Sequence, residues 1–562
     1  MQTTTPAVVT QAAVKRLPRA ALLGLCIAYV LAGFVGREGW KSADMTALGF
    51  MAELAMGHAN WWHPTLVGIA SEYDALLPYW LGAWMIQLSP ANHWNLWLVR
   101  LPFGALLALA LASTWYGTYY LAKGPQAQPV VFAFGGQAQP NDYARTVADG
   151  ALLAMIACLG LAQLGHETTP ALAQLGFIGL YFYGVCALPF HPRKAGAATV
   201  LGLAGLTLSG APTLACLFGL GCAAIAAYGP GTEKNSSAQI RNKRDSLTLL
   251  MACINSAVIA TSLHLWHWNI TPPQALWIDW NGYLQLLVWF LWPAWPLAGW
   301  ALFRWRKHMS NRHIAVPLWL VLVTLGATLM MGSSDRTLLL ALPAIASLAA
   351  FALPTLKRQM ASLVDWFTLL FFSACGLTIW VVWLAMHTGL PPQPAANVAR
   401  LAPGFVPRFS ALELLLALAA TAFWFALVRW RTSRQRAALW KSLALPAGGA
   451  VWCWTLLTTL WLPLLDYTQG YAHVVQTVAQ EIDKPGCIEV RGLETGPIAA
   501  LQWGGHFALV PGDSLAACRW LLSSAAPDGG LPVTVDASTW MPKARIQHPA
   551  DAGDVMWLLQ RR

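Results

Sequence analysis

Apolar runs separated by short polar connections fill residues 20–465, and many approach the roughly 20 residues that a helix needs to cross a bilayer core. The pattern predicts spans at 20–36, 76–89, 97–122, 148–165, 171–190, 198–228, 248–264, 282–303, 314–332, 337–353, 366–386, 410–430 and 443–465. Within the connection 37–75, Met45, Leu48, Met51, Leu54 and Ala55 recur at roughly helical spacing, which predicts helices lying on the membrane surface. After Leu465 the pattern changes to alternating helices and strands. A helix is expected near Tyr471 to Ile482, a strand at Cys487 to Arg491, a helix near Pro497 to Trp503, and strands near Arg519 to Leu522 and Val555 to Leu559. The chain thus divides into a transmembrane domain, 1–465, and a small α/β domain, 466–562, of ordinary domain size.

Composition removes the alternatives to a membrane protein. Hydrophobic residues make up 57% of the 562 and charged residues only 10%, against roughly 25% charged in a soluble domain. The net charge of +11 does not indicate nucleic acid, because the cations sit in short clusters between apolar runs. These are Lys15, Arg16 and Arg19; Lys234, Arg241, Lys243 and Arg244; Arg304, Arg306 and Lys307; Lys357 and Arg358; and Arg429, Arg431, Arg434 and Arg436. With a cytoplasmic N-terminus and thirteen crossings, all five clusters fall inside and the C-terminal domain lies outside, facing the periplasm of a bacterial inner membrane. The outer loops are then 37–75, 123–147 and 387–409. One connection disagrees: His191 to Lys194 carries Arg193 and Lys194 on the expected outer side. Either a span is misplaced there or those cations have a role outside. The first run lacks a small-residue cleavage site and reads as a retained span.

Candidate chemistry concentrates in the outer loops. Ionisable residues near a bilayer are costly, yet the first outer loop opens with Arg37, Glu38, Lys41 and Asp44. Two carboxylates and two cations there could supply a general base and a phosphate clamp, or form a solvated interfacial loop. His264 and His267 could, with Asp74, hold a divalent metal; interfacial histidines are more often solvated, and no other cofactor is indicated. Phe134 to Gln137 is too short for a nucleotide loop. Cys487 and Cys518 are alone in the exported domain, where an oxidising compartment favours a disulfide; the alternative is two buried thiols.

A carboxylate-bearing loop after the first span, and an outer domain after thirteen helices, resemble the GT-C glycosyltransferases. Among these the chain resembles the lipid A aminoarabinose transferase family, which shares its plan with protein O-mannosyltransferases. Trp40 to Asp44 resembles the family's segment with Trp before Asp; Tyr79-Trp80 its Tyr-Trp; Asp149 its Asp opening the fourth span; and Arg336, before Leu342-Pro343, its cation ahead of a Leu-Pro helix. Leu462-Pro463 to Tyr467, then Cys487-Ile488, resembles the junction to the outer domain. Two motifs depart: the family's Glu-Lys-Pro reads Tyr73-Asp74-Ala75 here, replacing a cation with an anion, and its Lys-Gly reads Ser209-Gly210.

The resemblance implies transfer of a sugar, with inversion, from a polyprenyl (undecaprenyl) phosphate carrier to lipid A, another glycan or a protein. It makes Asp44 the expected base, with Glu38 next. Arg336, Arg37 and Lys41 are the expected phosphate clamp, with Arg193 and Lys194 behind them. Asp149 either orients the acceptor or caps the fourth helix. Competing readings are a transporter or flippase of lipid-linked sugars, for which no internal repeat is seen, and an O-antigen ligase-like transferase.

Overall fold

A computed structural model describes residues 5–40, 42–71, 74–89, 96–228, 236–266, 280–331, 334–432, 438–482, 486–512, 518–526, 529–532, 535–536 and 538–562. In chain order the helices of the bundle are α1 Arg19–Phe34, α2 Ala43–Ala55, α3 Leu77–Leu88, α4 Leu96–Lys123, α5 Pro140–Ala157, α6 Leu159–Leu164, α7 Pro170–Ala187, α8 Pro192–Leu208, α9 Pro212–Tyr228 and α10 Ser236–Ser262. They continue as α11 Trp280–Phe290, α12 Ala294–Arg304, α13 Arg312–Met330, α14 Asp335–Leu338, α15 Leu342–Ala352, α16 Arg358–Thr388, α17 Pro392–Leu401, α18 Ala411–Thr432 and α19 Lys441–Leu460. Among the described residues, eight helical stretches are long and apolar enough to cross a bilayer, and α11 with α12, meeting at 91°, makes a ninth, broken passage. α1 and α9 are shorter apolar helices.

Contacts show which helices run from one end of the bundle to the other. The Arg100 guanidinium, near the start of α4, donates to the carbonyls of Phe34 and Glu38, just after α1. At the other end of α4, Tyr120 packs on Phe190 and His191, after α7. α4 therefore starts at the end that carries Asp44, here the Asp44 face, and finishes at the opposite face. α3 cannot then be a crossing, since both its neighbours in the chain lie at the Asp44 face. The Leu76 N–H donates to the Leu208 carbonyl at 2.8 Å, and Gln87 reaches back to the Ala55 carbonyl. A 12-residue helix is only about 18 Å long, short of the roughly 30 Å core. It lies beside α2 instead.

The expected span 198–228 is two antiparallel helices, α8 and α9. Gly210, at φ +86°, makes the turn between them, and Pro212 starts α9. A left-handed glycine ends one helix and a proline opens the next without losing a needed N–H. Among the described residues, then, one expected crossing is lost at α3 and one is gained where α8 and α9 separate. This exchange reverses every side assignment between α4 and α8. Segment 123–147, expected outside, pairs with the chain before α1: the N–H groups of Gln11 and Ala138 donate to the carbonyls of Gly136 and Val9, each at 3.0 Å. It thus lies at the opposite face. So do Arg193 and Lys194, which now join the other basic clusters and remove the exception to the charge pattern.

After α19, α20 Leu462–Gln469 and α21 Ala472–Glu481 lead into the C-terminal sheet. Its strands are β3 Ile488–Arg491, β4 Leu509–Pro511, β5 Trp520–Ser524, β6 Trp540–His548 and β7 Asp551–Arg561, in the order β4-β3-β5-β7-β6. β1 Thr65–Leu66 and β2 Ile69–Ala70 form a separate small hairpin. β3 pairs in parallel with β4 and β5, and β7 is antiparallel to β5 and β6. Strands β4 and β6 were not expected from the sequence. Cys487 and Cys518 are disulfide-bonded, with Cα atoms 5.2 Å apart, fixing the starts of β3 and β5.

The domain sits on α2. A Cβ added to Gly49 would lie 2.6 Å from Ala499 Cβ. The hydroxyls of Thr46 and Thr495 are 3.0 Å apart, and the Gln502 amide donates to Glu53 at 2.5 Å. The absence of a side chain at Gly49 lets the α2 backbone approach α22 Thr495–Ala499.

Candidate active site

Four chain segments meet at the Asp44 face: residues 35–40 with 42–44, the start of α4, residues 165–169 between α6 and α7, and α20. Asp44, in the first turn of α2, is fully buried, and each of its oxygens is occupied. The N–H and hydroxyl of Thr168 donate to Oδ1 at 2.7 and 2.5 Å. Arg37 Nη2 donates to Oδ2 at 3.0 Å and to the His166 carbonyl at 2.7 Å, and the Trp40 N–H reaches Oδ2 at 3.4 Å. Burial alone pushes the Asp44 carboxyl up, but Arg37, Arg100 and the two Thr168 bonds outweigh it and hold it below the usual carboxylate range.

Arg37 is equally buried and stacks on Trp40, with its guanidinium carbon 4.6 Å from the ring centre. Arg100 completes the scaffold by gathering the carbonyls of Phe34, Arg37 and Glu38. Those carbonyls follow the end of α1 and would otherwise be costly to leave unpaired away from water. Sequence reasoning passed over Arg100. Its signal is a lone arginine in the apolar run Val99-Arg100-Leu101.

Glu38 differs from Asp44 in every respect that matters to proton transfer. Its backbone N–H is held by Asp466 Oδ1 at 3.2 Å, and that oxygen also accepts from Trp40 Nε1 at 2.7 Å. The residue is exposed. Partial desolvation, and then the charge of Asp466, push its carboxyl above the ordinary range, while Arg100 and Arg408 pull it down. Gly470 gives it room: a Cβ there would stand 3.1 Å from Glu38 Oε2.

Arg336, in α14, reaches Glu167 Oε2 at 3.1 Å and Asp335 Oδ1 at 3.7 Å, with about a quarter of its side chain exposed. Glu167 is buried, and burial pushes its carboxyl up to about 7; Asp44 adds to the rise, while Arg336 and Arg37 oppose it. Glu167 and Thr168 were also missed by sequence reasoning, although a charge between two apolar runs was visible in His166-Glu167-Thr168-Thr169. The result is one connected network: Arg336 to Glu167, along the chain to Thr168, then Asp44, Arg37 and the backbone of Glu38.

The remaining candidates lie elsewhere. Asp149 is the tenth residue of α5, so it caps no helix, and it accepts from Trp115 Nε1 at 2.8 Å and from the Leu17 N–H at 3.4 Å. Leu17 precedes α1, which puts Asp149 towards the opposite face, away from Asp44. Arg193 and Lys194 are at that face as well. Lys41 and His267 fall outside the described residues. Asp74, before α3, and His264, after α10, belong to the Asp44 face. Among the described residues no group of three or more His, Cys, Asp or Glu gathers closely enough to hold a metal ion. Ser209-Gly210 is the turn between α8 and α9; the Ser209 carbonyl accepts from Gln174 at 2.8 Å, and Gly210 faces Ala75.

No family model and no curated protein sequence matches this chain. Among solved structures it is similar to ArnT from Cupriavidus metallidurans bound to undecaprenyl phosphate, with 12% identity over 96% of this chain and 97% of that one and a TM-score of 0.59. The apo crystal structure of the same protein gives 12% identity, the same coverage and a TM-score of 0.58. The fold is therefore that of ArnT along nearly the whole length: a bundle of many apolar helices with a small C-terminal sheet domain.

Proposed function

We propose that this chain is a glycosyltransferase that moves a sugar from a polyprenyl phosphate carrier to an acceptor at the Asp44 face. The carrying observation is the network that joins Arg336 to Glu38 across one end of a membrane bundle. A polyprenyl phosphate is already a good leaving group. The reaction then needs a cation that the departing phosphate can reach and a carboxylate that can take the proton of the acceptor. Arg336 is partly exposed and charged, and serves as the first. Glu38 is exposed, with a carboxyl raised above its ordinary range by partial desolvation and by Asp466, and serves as the second.

Asp44 takes a positioning role in this proposal, although the sequence pointed to it as the base. Its oxygens already accept four hydrogen bonds, and a carboxylate stabilised in that way is a weak proton acceptor. Arg37 and Arg100 fix the loop and add positive potential behind the reacting groups. The full-length likeness to a protein crystallised with undecaprenyl phosphate supports the choice of carrier. The gathering of basic clusters at the opposite face supports a cytoplasmic location for that face, and a periplasmic one for Asp44 and the C-terminal domain. Lipid A, another glycan and a protein all remain in the acceptor class.

The test is mass spectrometry of lipids and glycans from a strain lacking the gene, complemented with wild type, Glu38→Gln or Arg336→Gln. Wild type should restore a mass that neither variant restores. If instead a complete carrier-linked sugar accumulates on the cytoplasmic side in the deletion strain, the protein is a transporter and the proposal fails.

A further inference from the structure

The assignment of α8 and α9 as separate helices exposes a feature far from the candidate active site. α8 and α10 run parallel: Gly196 lies beside Thr248, and Ser256 Oγ donates to the Leu203 carbonyl at 3.3 Å. Towards the opposite face they leave a groove of about 610 Å³, lined by Ala197, Val200 and Leu201 of α8 and Leu247 and Met251 of α10, with Arg244 among the lining residues. Its size is that of a site for a ligand-sized apolar molecule, roughly 300–1,000 Å³. Leu201, Leu247 and Met251 are 57–60% exposed, and on a membrane-spanning surface they meet lipid chains.

The polar mouth of the groove is positive. Arg193 and Lys194 stand one turn before Ala197 on α8; Arg241, Lys243 and Arg244 occupy the corresponding turn of α10, and all five are exposed. The carboxylate at this level, Asp245, is 1% exposed and already held by Arg244 at 2.9 Å and Arg312 at 3.2 Å. It offsets part of the charge of Arg244 and Arg312 only, which leaves Arg193, Lys194, Arg241 and Lys243 as net positive charge, and it is too buried to greet the ammonium of a zwitterionic headgroup. Exposed cations at one end of an apolar groove match an amphiphile with an anionic head and a hydrocarbon tail.

We propose that this groove binds one acyl chain of an anionic glycerophospholipid, with its phosphate held by Arg193, Lys194 and Arg244. The head lies across the membrane from Glu38 and Arg336, so this lipid is not the sugar donor, and the site stands or falls independently of the transferase reading.

The full-length protein in detergent, titrated with phosphatidylglycerol or phosphatidylcholine of the same chains and followed by native mass spectrometry, tests the site. Phosphatidylglycerol should bind preferentially. R193Q/K194Q, two exposed changes, should weaken it by roughly tenfold or more, at about fivefold or so per cation lost near a charged surface. Ala197→Phe, which fills the groove from an exposed position, should weaken both lipids, whereas Arg306→Gln, at the same face outside the groove, should change neither. Equal binding of the two lipids by wild type would overturn the proposal, as would wild-type affinity in both R193Q/K194Q and Ala197→Phe. So would undecaprenyl phosphate displacing phosphatidylglycerol from this groove with higher affinity.

Discussion

At the Asp44 face charged side chains are buried and tied to one another, whereas at the opposite face most of them stand in solvent. The Arg37–Asp44 pair is 0% exposed on both sides; in the Arg16–Asp142 pair the arginine is 63% exposed. Removing charges from water costs several kcal/mol per ion, and only good geometry with further hydrogen bonds offsets it. A bundle that needed only to fold could place all its charges as the opposite face does. The cost borne at the Asp44 face is best understood through what it fixes: the backbone of residues 34–38, and with it the position of Glu38.

The largest expected effect separates the reacting groups from the scaffold within that face. Glu38→Gln should lower transfer by roughly 10² to 10⁴, the range for loss of a positioned general base, while the thermal midpoint in detergent stays at the wild-type value. An active E38Q would move the base elsewhere. Asp44→Ala should do the converse. It strips the carboxylate from Arg37, Trp40 and Thr168 and leaves a buried cation, which typically costs 3–5 kcal/mol. A wild-type midpoint with abolished transfer would return the proton-accepting role to Asp44 and end the division of labour proposed here.

A smaller effect comes from pH. In the native chain the Glu167 carboxyl titrates at about 7, against an ordinary 4.5. Between those values the folded state keeps a proton that the unfolded state has released, so stability falls as pH rises through the window and levels off above about 7. At about 1.4 kcal/mol per unit, the loss across that window is of order 3–4 kcal/mol. Midpoints measured from pH 5 to 8 should fall in wild type and stay flat in Glu167→Gln. Parallel curves would mean that Glu167 is ionised throughout, as an ordinary salt-bridge partner of Arg336.

Much of this was legible in the sequence, and the failures share one cause. Long apolar helices such as α4, α13 and α16 announce themselves, as do the disulfide and the strands around it, because hydropathy and cysteine placement are local. Crossings are not local. A window average reads residues 198–228 as one apolar stretch, although Gly210 and Pro212 mark a stop and a start inside it. It also promotes α3, which is apolar because it packs on α2. Each error moved one crossing, and together they placed 123–147 and Arg193–Lys194 on the wrong face; the discordant cations were the visible symptom. The site was half legible for a related reason. Arg37, Glu38, Asp44 and Arg336 stand beside apolar runs where charge is conspicuous, whereas Arg100, Thr168 and Asp466 reach the site from 56 or more residues beyond Asp44, and only the fold brings them together.

The smallest prediction tests the opposite face. Arg16 donates to Asp142 Oδ1 from Nη2 at 2.7 Å and from Nε at 3.1 Å, a good two-pronged geometry, and Gln11 reaches the other oxygen at 2.9 Å. These bonds, with the N-terminal segment they anchor, close the end of the bundle where α1 and α5 begin. Yet water screens the pair, and ordering a long side chain offsets part of what the charges gain. Arg16→Gln should therefore cost no more than about 1 kcal/mol and leave transfer unchanged, in contrast to Asp44→Ala. The loss should shrink further in high salt, since exposed charges are screened over about 10 Å at 0.1 M. A loss as large as that of Asp44→Ala would show that the N-terminal segment is as rigidly built as the Asp44 face, and the contrast between the two ends would have to be drawn from chemistry alone.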